Sequence, residues 1–225
     1  MNEKRNQLIE QLSNELAPVR PTGSTVQPTG LWLASGFVFC VVAILLAAPF
    51  RNDWLLQLLQ TPMFFLEMLL GMMAIGSLTA LVFVSAIPAH PWRGSLLKIA
   101  FGITAMWIAL QVYGLIHPAL PQTSSHRSHC SLEVMLYSIP PLLLGNWMLS
   151  RLLPLDGWQS GAMLGLCAGL IPAWLMQVAC IYDPAHGLLH HIAPVVVPVI
   201  AGALLLWWQR RRHRVSGSEK MIGHY

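Results

Sequence analysis

Charged side chains are scarce in this sequence. Asp, Glu, Lys and Arg make up 10% of its 225 residues, whereas 55% are hydrophobic. A soluble globular domain carries about 25% charged residues, so this composition excludes an ordinary water-exposed fold. The mean hydropathy of +0.58 agrees with that exclusion. A lipid bilayer is therefore the expected solvent for most of the chain.

Common enzyme motifs are also missing, and the pattern at the start does not predict a cleavable signal peptide. No Walker loop, Gly-rich dinucleotide turn, HExxH pattern or internal repeat occurs. Residues 1–30 are mostly polar and precede the first apolar run, whereas a cleavable signal peptide has its apolar run close to the start. We therefore expect the first apolar segment to be retained, and we do not expect an enzyme.

What the sequence does contain is long apolar runs. A helix needs about 20 apolar residues to cross a hydrocarbon core of roughly 30 Å. Six runs approach or exceed that length: 31–50, 68–92 (extendable back to 63), 99–120, 134–150, 157–182 and 187–209. Prolines within them predict kinks at Pro140, Pro141, Pro172, Pro194 and Pro198. The predicted fold is an all-α polytopic membrane protein with six transmembrane helices and short loops.

Basic residues are distributed unevenly between the two sides of these helices. One side receives Lys4, Arg5, Arg20, Arg93, Lys98, Arg151, Arg210, Arg211, Arg212, Arg214 and Lys220, and the other receives Arg51 and Arg127. Because Lys and Arg near helix ends are retained on the cytoplasmic side, both termini are predicted to be cytoplasmic. The net charge of +4 then reflects topology and attraction to membrane lipids, and it gives no argument for direct binding of nucleic acid.

Three regions follow from this topology: a cytoplasmic arm and linker at 1–30, a six-helix membrane domain at 31–209 and a basic cytoplasmic tail at 210–225. The arm begins with an amphipathic helix over 2–16. Its apolar face is formed by Leu8, Ile9, Leu12 and Leu16. Such a helix fits either a membrane surface or a partner protein.

The cysteines divide into two pairs. Cys40 and Cys167 fall within helices, where a thiol usually serves as a small packing group. Cys130 and Cys180 fall at the outer ends of helices, in the oxidising compartment. There they could form a structural disulfide, act as a redox pair or bind a metal as thiolates, and the spacing alone does not choose between these roles.

Residues that favour transition metals surround the outer pair. The candidate ligands are His126, His129, Cys130, Glu133, Cys180, Asp183, His186, His190 and His191. Helical spacing of four would place His126 with Cys130, His129 with Glu133, and His186 with His190 on shared faces. A transition-metal ion on the outer side is therefore a candidate cofactor. Glu67, near the outer end of the second helix, either reaches the interface or faces the bundle.

The order of these features resembles membrane-embedded anti-sigma factors of the NrsF type, which are negative regulators of extracytoplasmic-function (ECF) sigma factors in bacteria. The opening from Leu8 through Pro21 and the six helices that follow are similar to the family over nearly the whole chain. Cys130 with Glu133 and the Ser138 to Pro141 stretch resembles one family signature, and Cys180 with Asp183 and Pro184 resembles the other. Relatives tend to carry an aromatic pair where this chain has His190 and His191.

The resemblance implies a protein of the bacterial inner membrane whose arm binds an ECF sigma factor, with Cys130 and Cys180 sensing heavy-metal or oxidative stress. Two other functions remain open on the residues. A membrane thiol/quinone oxidoreductase would usually show a CxxC pair, which is missing. A metal transport protein would carry ionisable residues deep in several helices, and the helix centres are nearly bare.

Overall fold

The computed structural model describes residues 2–15, 24–47, 50–52, 54–87, 90–117, 129–152, 157–180 and 183–222. Within these ranges all regular secondary structure is helical. The helices are α1 (Asn2–Glu15), α2 (Val26–Ala47), α3 (Trp54–Gln60), α4 (Pro62–Ser85), α5 (Arg93–Ile116), α6 (Cys130–Leu152), α7 (Gly157–Ala179) and α8 (Pro184–His186), then a π-helix (Gly187–Ile192), a 3₁₀ turn (Ala193–Val195) and α9 (Val196–Ile222).

Six helical segments of the described chain are long and apolar enough to cross a membrane, which confirms the predicted fold class. They are Val26–Ala47, Pro62–Ser85, Arg93–Ile116, Cys130–Leu152, Gly157–Ala179 and Pro184–Arg212. The first begins before its predicted start, inside the predicted linker. Ser24 Oγ accepts a hydrogen bond from the Val26 N–H, and Pro28 is tolerated because the N–H groups of a first helical turn have no partner within the helix.

The short helix α3 has no counterpart among the sequence predictions. It lies between the first two spans and has no buried residue, and Leu55, Leu56 and Leu59 are all exposed. Its apolar run is too short to cross a bilayer, so a search for long apolar runs passes over it.

The most deeply buried span is α7, which packs against α2, α4, α6 and α9. Its closest neighbour is α9, which runs antiparallel to it. A Cβ on Gly161 would overlap the carbonyl oxygen of Gly202, and a Cβ on Gly165 would overlap that of Pro198. Small residues allow such close backbone contact between helices in a bilayer, where packing and not the hydrophobic effect drives association.

The prolines of α6 are accommodated by α2. Pro141 has no N–H to donate to the Tyr137 carbonyl one turn earlier, and the Cys40 thiol donates to that carbonyl instead, at 3.7 Å. The carbonyl of Pro141 accepts a further bond from Trp32 Nε1 at 2.9 Å. A neighbouring helix thus supplies donors to the proline-interrupted segment, and Cys40 has a structural role.

Candidate functional site

Two thiols meet at one end of the helix bundle. Cys130 is the first residue of α6, and Cys180 directly follows α7, which runs antiparallel to α6. Their Sγ atoms lie 3.3 Å apart, longer than the roughly 2.05 Å of a disulfide bond and short enough for direct contact. Both side chains are buried, at 3% and 2% exposure. The structure therefore brings into contact the two cysteines that the sequence predicted at the outer ends of two different helices.

Two histidines complete a compact group around these thiols. His186 ends α8, and its Nε2 lies 3.5 Å from Cys180 Sγ. His191 lies in the π-helix, with its ring edge-on to that of His186 at a centroid distance of 5.0 Å. One ligand atom from each of Cys130, Cys180, His186 and His191 lies within 4.8 Å of all the others. We call these four residues the Cys/His cluster.

The π-helix determines which histidine joins the Cys/His cluster. In it the N–H of Ala193 donates to Leu188 O, five residues back instead of four. Pro194 explains the change: it has no N–H, and its ring would clash with the carbonyl of His190 in a continued α-helix. His186 and His191, five apart, thus face the thiols together. π-helical turns occur frequently at functional sites.

His191 is fully buried; its ring interacts with the Cys180 thiol, and neither ring nitrogen makes a hydrogen bond of regular geometry to the described residues. Leaving a buried polar group without a partner costs about 1–3 kcal/mol. Its neighbour His190 is exposed, and His190 Nδ1 lies 3.1 Å from Ser131 Oγ. The predicted pairing of His186 with His190 is present as a ring contact at 4.6 Å, but His191 is the one that reaches the cluster.

The other predicted ligands that the structure describes are not part of the Cys/His cluster. His129 is exposed, and its carbonyl accepts from the Glu133 N–H. Glu133 lies in the first turn of α6, where an acidic side chain favours the helix N-terminus. Asp183 Oδ1 accepts from the Ala185 N–H at 3.1 Å and so caps α8. His126 lies outside the described residues.

A second polar pair lies beside the start of the last span. Glu67 is fully buried and faces the bundle, and its Oε2 is 3.5 Å from Gln111 Nε2. A Cβ on Gly114 would lie 3.0 Å from Pro184 Cγ and 3.8 Å from Glu67 Oε1. Glu67 does not join the Cys/His cluster, but α5 packs against the segment that carries His186.

The residues predicted to bind a partner belong to α1, which the structure confirms as a helix over Asn2–Glu15. Ile9 is exposed at 56%. Leu16 lies outside the described residues, as do the side chains of Leu8 and Leu12. Their role remains a prediction from the pattern.

The chemistry open to the Cys/His cluster follows from its donors. Two thiols in contact can lose two electrons and two protons to an oxidant and become a disulfide. The same thiols, as thiolates beside two imidazoles, form a donor set that thiophilic transition metals prefer. Cys40 and Cys167 are also buried but are absent from this group. The Cys/His cluster is therefore suited to respond to metals or oxidants.

A comparison with protein families agrees with this arrangement. The family model described as NrsF, negative regulator of sigma F, matches residues 12–211. No curated protein and no solved structure matches the chain. The match covers most of the chain, so the chain belongs to the NrsF family, a family of sigma-factor regulators and not of enzymes.

Proposed function

Because this chain is an NrsF-family protein, we propose that it holds an ECF sigma factor at the bacterial inner membrane and releases it in response to a heavy-metal or oxidant signal. Residues 1–30 bind the sigma factor in the cytoplasm, and Cys130 and Cys180 receive the signal on the periplasmic side. The observation that carries this proposal is the contact between two buried thiols, 3.3 Å apart, at the end of the bundle opposite the start of the first span.

Contacts along the spans support the position of the arm and of the Cys/His cluster at opposite ends of the bundle. Ser24, Thr25 and Val26, at the start of α2, line one cavity together with Ile87 and Trp92, at the connection between α4 and α5. The Cys/His cluster lies where α6 begins and α7 ends, which is the other end of an antiparallel bundle. A signal at the thiols must therefore act across the bundle to reach the arm.

Aromatic and basic side chains support the assignment of the first of these ends to the cytoplasm. The guanidinium of Arg151 lies over the Trp147 ring at 3.8 Å, that of Arg211 over Trp207 at 3.9 Å, and that of Arg212 over Trp208 at 3.5 Å. Tryptophan is enriched at membrane interfaces, and basic residues concentrate on the cytoplasmic side. The composition of this end of the bundle supports its proposed position on the cytoplasmic side, together with the N-terminus and the C-terminus.

The arm is proposed to bind its partner as an amphipathic helix in a groove of the sigma factor. The helix α1 and the exposed Ile9 support this mode. Deletion of residues 1–16 should abolish capture of the co-expressed sigma factor by the membrane fraction. The matched control replaces Glu3, Glu10 and Gln11 with alanine, which leaves Leu8, Ile9, Leu12 and Leu16 in place. Capture that survives the deletion would contradict the role of the arm.

Release requires that the signal stabilise one arrangement of the bundle over another. A shift from 1% to 99% free sigma factor needs a differential binding free energy of about 5.5 kcal/mol. A disulfide or a shared metal between Cys130 and Cys180 would join the start of α6 to the end of α7, and through His186 and His191 to the last span. Through these contacts the signal acts directly on three of the six spans.

The thiol role is tested by single Cys130→Ser and Cys180→Ser variants, followed by the transcription of sigma-dependent genes under cadmium or diamide stress. Each variant should lose most of the response while its basal capture of the sigma factor stays near wild type, because the arm is unchanged. Cys167→Ala is the matched control, since Cys167 is equally buried but lies in the middle of α7 and is not part of the Cys/His cluster. A wild-type response in both serine variants would refute the sensor.

A further inference from the structure

The Cys/His cluster has the donors and the spacing of a four-coordinate metal site. With metal–sulfur bonds of about 2.3 Å and metal–nitrogen bonds of about 2.0–2.1 Å, the edges of a tetrahedral site measure about 3.8 Å between sulfurs and about 3.5 Å between sulfur and nitrogen. The observed Sγ–Sγ distance is 3.3 Å, and Cys180 Sγ to His186 Nε2 is 3.5 Å. All four donor atoms lie within 4.8 Å of one another, so small side-chain rotations close the tetrahedron.

His191 is the observation that points to a ligand. Its ring is fully buried in the Cys/His cluster beside the Cys180 thiol, yet neither nitrogen makes a hydrogen bond of regular geometry to the described residues. A metal ion would give one of the two nitrogens a strong bond and remove the cost of leaving it without a partner.

The net charge of the metal-loaded site is also compatible with burial. Two thiolates neutralise a divalent cation, and two imidazoles bind as neutral ligands, so the loaded site carries no net charge. That matters because Cys130, Cys180 and His191 are buried, where an uncompensated charge is costly. On binding, each thiol gives its proton to water and forms a metal–sulfur bond, so two protons are released per ion.

We propose that Cys130, Cys180, His186 and His191 form a tetrahedral site for a thiophilic d¹⁰ divalent cation, Zn²⁺ or Cd²⁺. The imidazole of His191 distinguishes this site from a simple thiol pair. The proposal rests on the proposed function only for its regulatory consequence, because binding itself can be measured without a sigma factor.

The test uses the full-length protein in detergent micelles, reduced and free of metal, titrated with Co²⁺. Tetrahedral Co²⁺ bound through thiolates gives intense visible d–d bands and a sulfur-to-cobalt charge-transfer band, and Zn²⁺ or Cd²⁺ should abolish both by displacement at one ion per chain. His191→Ala should weaken Co²⁺ binding by more than the roughly 10-fold to 100-fold that loss of an outer-shell partner causes. His190→Ala is the matched control and should bind like wild type, because His190 is exposed and lies beside Ser131.

A third variant controls for misfolding of His191→Ala. His191→Cys keeps a ligand at this position, so it should bind Co²⁺ with a charge-transfer band about half as strong again, because three thiolates replace two. The absence of tetrahedral bands in the wild type, or an equal effect of His190→Ala and His191→Ala, would overturn the proposal. Wild-type protein that captures its sigma factor but gives no such bands would refute the metal site and leave the proposed function standing.

Discussion

The two halves of the last span are held in place in different ways. From Val196 onward, α9 packs backbone to backbone against α7, with no room for a methyl group at Gly165 or Gly202. From Pro184 to Val195 the chain passes through a short α-helix, a π-helix and a 3₁₀ turn. The half from Val196 onward, which the proposed orientation makes the inner half, is fixed by close packing, whereas Pro184–Val195, the outer half in that orientation, is shaped by proline and by polar side chains.

For the proposed function, this difference offers a physical route from the Cys/His cluster to the opposite end of the bundle. Close-packed backbones cannot slide past one another without losing contact, so α7 and α9 are expected to move as one body. The outer half contains α, π and 3₁₀ hydrogen-bond patterns in succession, and such irregular helical stretches often mark hinges or functional sites. A change at the Cys/His cluster would therefore first alter the backbone of Pro184–Val195. The close-packed pair α7 and α9 would then transmit it toward the other end of the bundle.

The largest effect is expected where the inner half is tightest. In Gly165→Ala the new methyl group overlaps the Pro198 carbonyl oxygen, and only a separation of the two backbones can relieve that overlap. We expect the free energy of unfolding to fall by about 2–3 kcal/mol. Thermal unfolding in detergent, followed by circular dichroism, measures the change.

Gly76→Ala in α4 is the control for that substitution, because a Cβ there meets nothing within 4 Å. Alanine has the higher helix propensity, so this variant should be as stable as wild type or slightly more so. Equal destabilisation by both substitutions would mean that the close contact between α7 and α9 is not what fixes the inner half.

An intermediate effect is expected from the proline that shapes the outer half. Pro194→Ala restores an N–H that can donate to the His190 carbonyl, which favours a continuous α-helix and turns His191 away from the thiols. Co²⁺ affinity should fall by about 10-fold, while stability is retained. Leu189→Ala is the control, since Leu189 is exposed in the same π-helix and its substitution leaves the backbone donors unchanged. Wild-type Co²⁺ affinity in Pro194→Ala would show that metal binding at the Cys/His cluster does not depend on the π-helix.

The two halves of the last span also differ in how much of their structure could be predicted from the sequence. Apolar length is a property of each segment by itself, so the six spans and the shared end of Cys130 and Cys180 could be predicted. The choice of His191 over His190 depends on a hydrogen-bond pattern that a spacing of four does not represent. Pro194 was the one available signal for it, and it indicated a kink without indicating the offset of five. The short α3 was missed because its apolar run cannot span a bilayer.

The smallest effect is expected where α5 supports the outer half. A Cβ at Gly114 would lie 3.0 Å from Pro184 Cγ, so Gly114→Ala requires α8 to move by a few tenths of an ångström. His186 would move with α8, and Co²⁺ affinity should fall by about 2-fold to 5-fold, less than 1 kcal/mol. Gly102→Ala on the same helix meets nothing within 4 Å and should leave affinity unchanged. An affinity equal to wild type in Gly114→Ala would show that the outer half takes its shape from Pro194 and the π-helix without support from α5.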